Sequence, residues 1–376
     1  MRTTSYNIPI EDRDFFTLLR IGLWQKVEEP LSDNPDWEHI FRLACEQTVQ
    51  GIVADGLMLY EDYAAEHPDY ARNVDEDVKE RFLDHAASIV YRNTLISQKQ
   101  EETTMLFSQQ HLHHYVVKGQ MAAANYPKPN LRCPGDIDIL IRPSDFVRAR
   151  DLLTPIADRV EKYDTFMMHQ QFFMGDIEIE LHGTLRPCLG KRIDSTIINL
   201  QQDLFDGSCN YETFCAVYLF LHCLQHFHES GLGIRQIIDW TMYLHACQSK
   251  IDCNLVVATI KQMKVQTAWN SFHDFATDWL GLSFTQNDIS AIRESCVQKE
   301  ANALRLWQAC RATGNMGSKR LQLAISPNII KRNLIAWRDK LSYSFRNYGV
   351  SPYTTLASLR QFTYVYCLAF RNKFRW

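Results

Sequence analysis

Gly135-Asp136-Ile137-Asp138-Ile139-Leu140-Ile141 is the stretch whose reading decides the fold. A β-strand turns successive side chains to opposite faces, so Asp136 and Asp138 share one face while Ile137, Ile139 and Ile141 share the other. At a rise of about 3.3 Å per residue the two acids are attached roughly 6 to 7 Å apart, a spacing from which their carboxylates can converge on a magnesium pair. Downstream, Ile177-Glu178-Ile179-Glu180-Leu181-His182 alternates in the same way. Glu178, Glu180 and His182 take one face and the aliphatic residues the other, which supplies a third acid for the same site.

Around these strands the chain changes character twice. Residues 10–110 show helical spacing, with one stripe of Phe15, Leu18, Leu19 and Leu23 and another of Trp37, Ile40, Phe41 and Ala44, then a long polar helix from about Val74 to Gln110. From His114 the signals turn to strand: Tyr115-Val116-Val117 precedes Lys118-Gly119, a helical turn at 120–125 and a proline-broken loop at 126–130. Pro143-Ser144 predicts a helix to about Leu153 with Ser144 as its N-cap. Strands are expected near 159–163, 170–174 and 177–182, the last two joined at Gly175-Asp176. After Leu200 helices return, including the apolar run 214–227, a break at Gly231 and Gly233, and a further helix over 234–246. The expected fold is α+β: a helical lobe (1–110), a small mixed-sheet core (111–200), a helical domain (201–325) and a basic, aromatic C-terminal helical segment (326–376).

At 376 residues with 46% hydrophobic content, the chain can bury a substantial core. Its net charge of -4 gives no overall polyanion-binding signature. The C-terminal segment is the local exception: Lys331, Arg332, Arg338, Lys340, Arg346, Arg360, Arg371, Lys373 and Arg375 face only Asp339. It reads as a packed or partner-binding face, or as a peripheral patch for nucleic acid or anionic membrane. The 11 cysteines are an odd number with no CxxC pair, which points to a reducing, cytoplasmic setting. Glu11, Asp12 and Asp14 break the layout of a secretion signal. The longest apolar run, Cys215 to Leu224, is interrupted by His222 and falls short of the about 20 residues a bilayer requires, so no integral membrane segment is expected.

Three acids on two neighbouring strands are the minimum scaffold for two-metal nucleotidyl transfer, and a preceding glycine lets phosphate approach the backbone. Lys118-Gly119, Tyr126-Pro127, Leu131-Arg132, Gly135-Asp136-Ile137-Asp138 and Glu180-Leu181-His182 together resemble an uncharacterised bacterial nucleotidyltransferase family of the polymerase-β-type superfamily. His222, His226, Gly231, Gly233, Arg235-Gln236 and Asp239-Trp240 resemble that family's helical segment, so the likeness spans about residues 110–250. The resemblance implies a palm-like core, with Asp136 and Asp138 as the metal-binding pair and Glu180 as the third catalytic acid. It implies magnesium or manganese as cofactor and a nucleoside triphosphate such as ATP as substrate. Surface-polysaccharide or peptide-modification biosynthesis is the implied context, with a sugar, metabolite, peptide or RNA as acceptor. Lys118-Gly119 stands where the wider superfamily has Gly-Ser, so the phosphate contact is expected from the Lys118 ammonium, the Gly119 amide or Arg132, with Gly135 beside them. The missing serine also motivates a second reading, an inactive nucleotidyltransferase-like binding module.

Other residues carry plainer expectations. Glu178 reads as a solvated or supporting carboxylate, and His182 as a partner that orients one of the acids. Arg132 is suited either to phosphate or to an ion pair with Asp136 or Asp138. His222 and His226, four apart with His228 following, invite a zinc reading, but core histidines on an apolar helix are the simpler account. Arg235 and Asp239, also four apart, are expected to pair along their helix.

Overall fold

In the computed structural model, residues 8–228, 231–283 and 299–314 are described, together with parts of 337–363. Most of the basic C-terminal segment therefore lies outside the described residues, as does the stretch just before Pro327.

Among the described residues one five-stranded sheet forms, in the order β1-β2-β5-β4-β3. Its strands are β1 (His114–Val116), β2 (Ile137–Ile141), β3 (Arg159–Val160), β4 (His169–Met174) and β5 (Ile177–His182). β2 and β5, the two acid-bearing strands, lie side by side and parallel, and the other pairings are antiparallel. Met174 pairs with Ile177, so β4 and β5 are joined by the two-residue turn Gly175-Asp176, where Gly175 takes a φ of +61° that glycine alone adopts freely. The strand expected over 159–163 is shorter, because only Arg159 and Val160 pair with β4.

The aliphatic face of the acid strands closes a small core. Ile137, Ile139 and Ile141 meet Ile177, Ile179 and Leu181, with Phe146, Ala149 and Leu153 of α6 (Phe146–Leu153) laid across them. Ser144 does not cap that helix. Pro143 opens a 3-10 turn over Pro143–Asp145, which moves the N-cap to Asp145, and no side chain bonds there. β2 is buried on both faces, as a strand with helices on each side must be.

Helices precede and follow the sheet: α1 (Arg13–Trp24), α2 (Trp37–Glu46), α3 (Gln50–Glu66) and α4 (Glu76–Gln109), then α7 (Lys191–Asp206), α8 (Tyr211–His228), α9 (Ile234–Cys247), α10 (Cys253–Met263), α11 (Gln266–Asp278) and α12 (Lys299–Thr313). α5 (Gln120–Ala123) is a single turn after β1. The two helical sets share one hydrophobic core. Phe16 of α1 packs edge-on against Trp279 at 5.2 Å between centroids, and Phe15 stacks on Trp307 of α12 at 6.0 Å. No helix among the described residues is long and apolar enough to cross a membrane.

Candidate active site

The register brings the site together. β2 and β5 place Asp138 beside Glu180 and Leu140 beside His182, while β4 and β5 place Gln171 beside Glu180 and His169 beside His182. Asp138, Glu180 and Gln171 thus form one row across the sheet, with His182 and His169 two residues further along on the same face. Asp136 lies one residue ahead of β2 rather than in it. Even so, oxygens from Asp136, Asp138 and Glu180 all lie within 4.8 Å of one another.

Asp138 is the deepest of the three, with no exposed surface. Its Oδ1 takes two partners, Lys118 Nζ at 2.7 Å and His182 Nε2 at 2.9 Å. Its Oδ2 is buried with no hydrogen-bond partner. Burial, and then the Asp136 charge, push the Asp138 carboxyl up from its ordinary value, against the pull of Lys118. For Lys118 burial favours the neutral amine, but the surrounding acidic groups, Asp138 foremost with Asp136 and Glu180, together outweigh it and hold the ammonium well above its usual range. Lys118 reaches Asp138 because the Val117 amide donates to the Asp138 carbonyl at 3.1 Å, extending the β1 ladder past Val116. Gly119 then turns the chain away at φ +56°, where a Cβ would stand 2.9 Å from the Asp136 carbonyl oxygen. That close approach to the Asp136 backbone is what the glycine permits.

Glu180 sits between nitrogen donors. Gln171 Nε2 donates to its Oε1 at 3.0 Å, while His182 Nε2 lies 3.3 Å and His169 Nε2 3.5 Å from its Oε2. Burial works to raise this carboxyl, but the two imidazoles and Lys118 hold it well below the usual carboxylate range. Glu178 shares Gln171 at 2.5 Å and is pushed up by burial and by the neighbouring Glu180 charge, which fits a supporting carboxylate. His182 orients Asp138, as the sequence suggests.

Arg132 is placed elsewhere than expected. It is 4% exposed, and its Nε and Nη2 donate to the two oxygens of Asp239 at 2.6 and 2.7 Å. Tyr126 donates its hydroxyl to the same carboxylate at 2.6 Å. The guanidinium pairs with Asp239 rather than with Asp136 or Asp138. Arg235 does not pair along α9 with Asp239 either. It donates to the carbonyls of Cys133 and Pro134 at 2.9 and 3.2 Å, fastening the segment that leads into Gly135 and Asp136. α9 therefore positions the start of the acid strand through two arginines. Gly135 has open space where a Cβ would stand.

The sequence model of one family, described as uncharacterised nucleotidyltransferase, matches residues 33–281, which contain the whole sheet and all three acids. The chain belongs to this nucleotidyltransferase family. No curated protein and no solved structure matches it.

In this nucleotidyltransferase Asp136 and Glu180 open onto two clefts, and Asp138 lies beneath them. One, of about 280 Å³, is lined by Glu180 and His182 of β5, by Lys118 and Asp136 beside the ends of β1 and β2, by Arg186, and by His222, His226 and Arg235 from α8 and α9. The other, of about 650 Å³, shares Asp136, Glu180 and Arg235 but runs past Gly135 and Glu178 towards His85 and Arg92 of α4. Arg186 and Arg235 each keep a buried Nε without a hydrogen-bond partner. Sequence reading did not single out Arg186, since a lone arginine in a loop after β5 carries no spacing signal. His222 and His226 face each other at 3.2 Å, and among the described residues they join no third metal-ligating side chain. Burial, then the nearby Lys118 charge, lowers both, His226 to about 4.

Proposed function

We propose that this nucleotidyltransferase is metal-dependent and transfers a nucleoside monophosphate from a nucleoside triphosphate to an acceptor hydroxyl. The observation that carries the reading is the convergence of Asp136, Asp138 and Glu180 with Asp138 Oδ2 left buried and unpartnered. An all-oxygen donor set with an orphaned anionic atom suits a hard divalent cation, and magnesium or manganese fits it. Bound by these acids, the metal would lower the pKa of the acceptor hydroxyl and neutralise charge on the triphosphate.

The chain's own residues account for the rest. Lys118, Arg186 and Arg235 line the smaller cleft with cationic or donor groups, which supports seating the triphosphate there, with the Gly119 turn alongside. The larger cleft then admits the acceptor from the α4 side, past Gly135. The acceptor oxygen attacks the α-phosphorus, its proton passes to one of the carboxylates, and the bond to the bridging oxygen breaks to release pyrophosphate. Arg132 acts at a distance, holding the approach to β2 through Asp239. The acceptor is a sugar, a metabolite, a peptide or an RNA end, and a biosynthetic role for surface polysaccharide or modified peptide accords with all but the last.

The Lys118–Asp138 contact favours one second reading. An ammonium 2.7 Å from the central acid already supplies a positive charge there, as a module that binds nucleotide without turnover would require. Incubating the full chain with labelled triphosphates, magnesium and a cell extract separates the two. Label transferred to an acceptor by the natural chain but not by Asp138→Asn supports catalysis; nucleotide binding with no labelled product supports the module. An unaltered labelling pattern in Asp138→Asn would refute the assignment of the acid site.

A further inference from the structure

We infer that Glu180 also anchors a second, chemically different metal site, formed with His169 and His182, that takes a transition dication of the zinc type. Its nitrogen and oxygen atoms lie within 4.8 Å of one another on adjacent strands. A tetrahedral ion bound at about 2.0 to 2.1 Å has its ligand atoms about 3.3 to 3.4 Å apart. Glu180 Oε2 stands 3.3 Å from His182 Nε2 and 3.5 Å from His169 Nε2, so the two histidine–carboxylate edges are already close to that length.

The surroundings support a ligand at this point. His169 Nε2 is a buried atom that makes no hydrogen bond, although it points at a carboxylate. The two imidazoles stack at 4.7 Å between centroids with 25° between their planes, so they stand as neighbours, and one ring must turn about its Cβ–Cγ bond for both Nε2 atoms to meet one ion. The side chains of His169 and Glu180 are 24% and 16% exposed, and His169 lines the smaller cleft, so an ion can enter and a water or substrate oxygen can fill a fourth position. Imidazole nitrogen favours zinc, cobalt and their neighbours over magnesium, which prefers oxygen alone. Glu180 would then divide its service between the two sites, and His182 Nε2 would exchange its 2.9 Å contact with Asp138 Oδ1 for the ion. The inference rests on ligand geometry and holds whether or not the transfer reaction is the one proposed above.

The test is cobalt titration of the full chain, read by visible absorption. One equivalent per chain should produce the strong bands of tetrahedral cobalt, removed by zinc but not by an equal concentration of magnesium. His169→Gln should weaken binding by about tenfold or more, while Asp136→Asn and His222→Gln should keep the bands. X-ray absorption on the zinc-loaded, unaltered chain adds a readout that needs no variant to fold, and two imidazole ligands are expected. An all-oxygen shell, displacement by equimolar magnesium, or undiminished binding in His169→Gln would overturn the inference. Because none of these readouts is turnover, a chain that binds cobalt as described yet labels no acceptor would refute the transfer reaction and leave this site standing.

Discussion

At the scale of single residues, the site is a balance of charge around Asp138. Lys118 neutralises a carboxylate that has no exposed surface and two acidic neighbours. Removing one member of a buried pair leaves an uncompensated charge and typically costs about 3 to 5 kcal/mol. Lys118→Met should therefore destabilise the metal-free chain by that order. Magnesium should then raise the melting temperature of Lys118→Met by more than it raises that of the natural chain, because the ion restores the missing positive charge. Equal magnesium gains in both proteins would show that Lys118 and the cation do not serve the same acids. Asp138→Asn should lower any transferase activity by at least about 10-fold, since a metal ligand matters no less than the groups that orient one. Strand alternation assigned the acids to one face without any tertiary information, and the family resemblance, not the alternation, chose Glu180 over Glu178. The unpartnered Asp138 Oδ2 and the Lys118 contact were not legible in the sequence, since both depend on how deep the strand lies.

At the scale of elements, the parallel pairing of β2 with β5 places Asp138 beside Glu180, and α9 sets where the strand begins. Local spacing favoured an Arg235–Asp239 pair on one helix, but Asp239 finds Arg132 107 residues away in sequence and binds it through both oxygens. A forked guanidinium matched to a carboxylate in a buried site outweighs an exposed pair four residues apart, worth only a few tenths of a kcal/mol. No single-sequence periodicity reports such a contact. Arg132→Met should lower stability by about 3 to 5 kcal/mol, and Arg132→Met with Asp239→Leu should recover part of it, because no charge is then left buried alone. Denaturant titration of the two singles and the double checks this, and strictly additive losses would argue against a direct pair. Gly119 makes the turn between β1 and α5. Gly119→Ala should cost about 1 to 3 kcal/mol through its positive φ and the Asp136 carbonyl it would meet, and should weaken nucleotide binding together with stability.

Across the whole molecule, the helices on either side of the sheet share one core, and α8 carries His222 and His226 from that core to the edge of the site. The helical lobes were legible from their apolar stripes, whereas their fusion into one core was not, because a stripe does not name its partner. That fusion makes the titration of α8 a global matter. In the unfolded chain both histidines take a proton near pH 6.5, while in the folded chain His226 does so only near pH 4 and His222 is likewise held well below its ordinary value by burial. Between those values the unfolded state binds more protons, so stability must fall as pH drops from about 6.5 towards about 4. For His226 alone the shift amounts to about 3 kcal/mol at the acid end. His182 cannot produce this slope, since burial is outweighed there by Asp138 and Glu180 together and its folded value is raised; its contribution is complete below pH 6.5 and changes only above it. Asp138, also raised, works in the opposite sense, which is why the comparison should be made by difference. Denaturation midpoints of the natural chain and of His226→Gln, measured at pH 7, 6 and 5, should diverge at neutral pH and converge on acidification, or cross, as the natural chain loses the stability of a neutral buried imidazole. Parallel curves would mean that His226 titrates in the fold as it does in water.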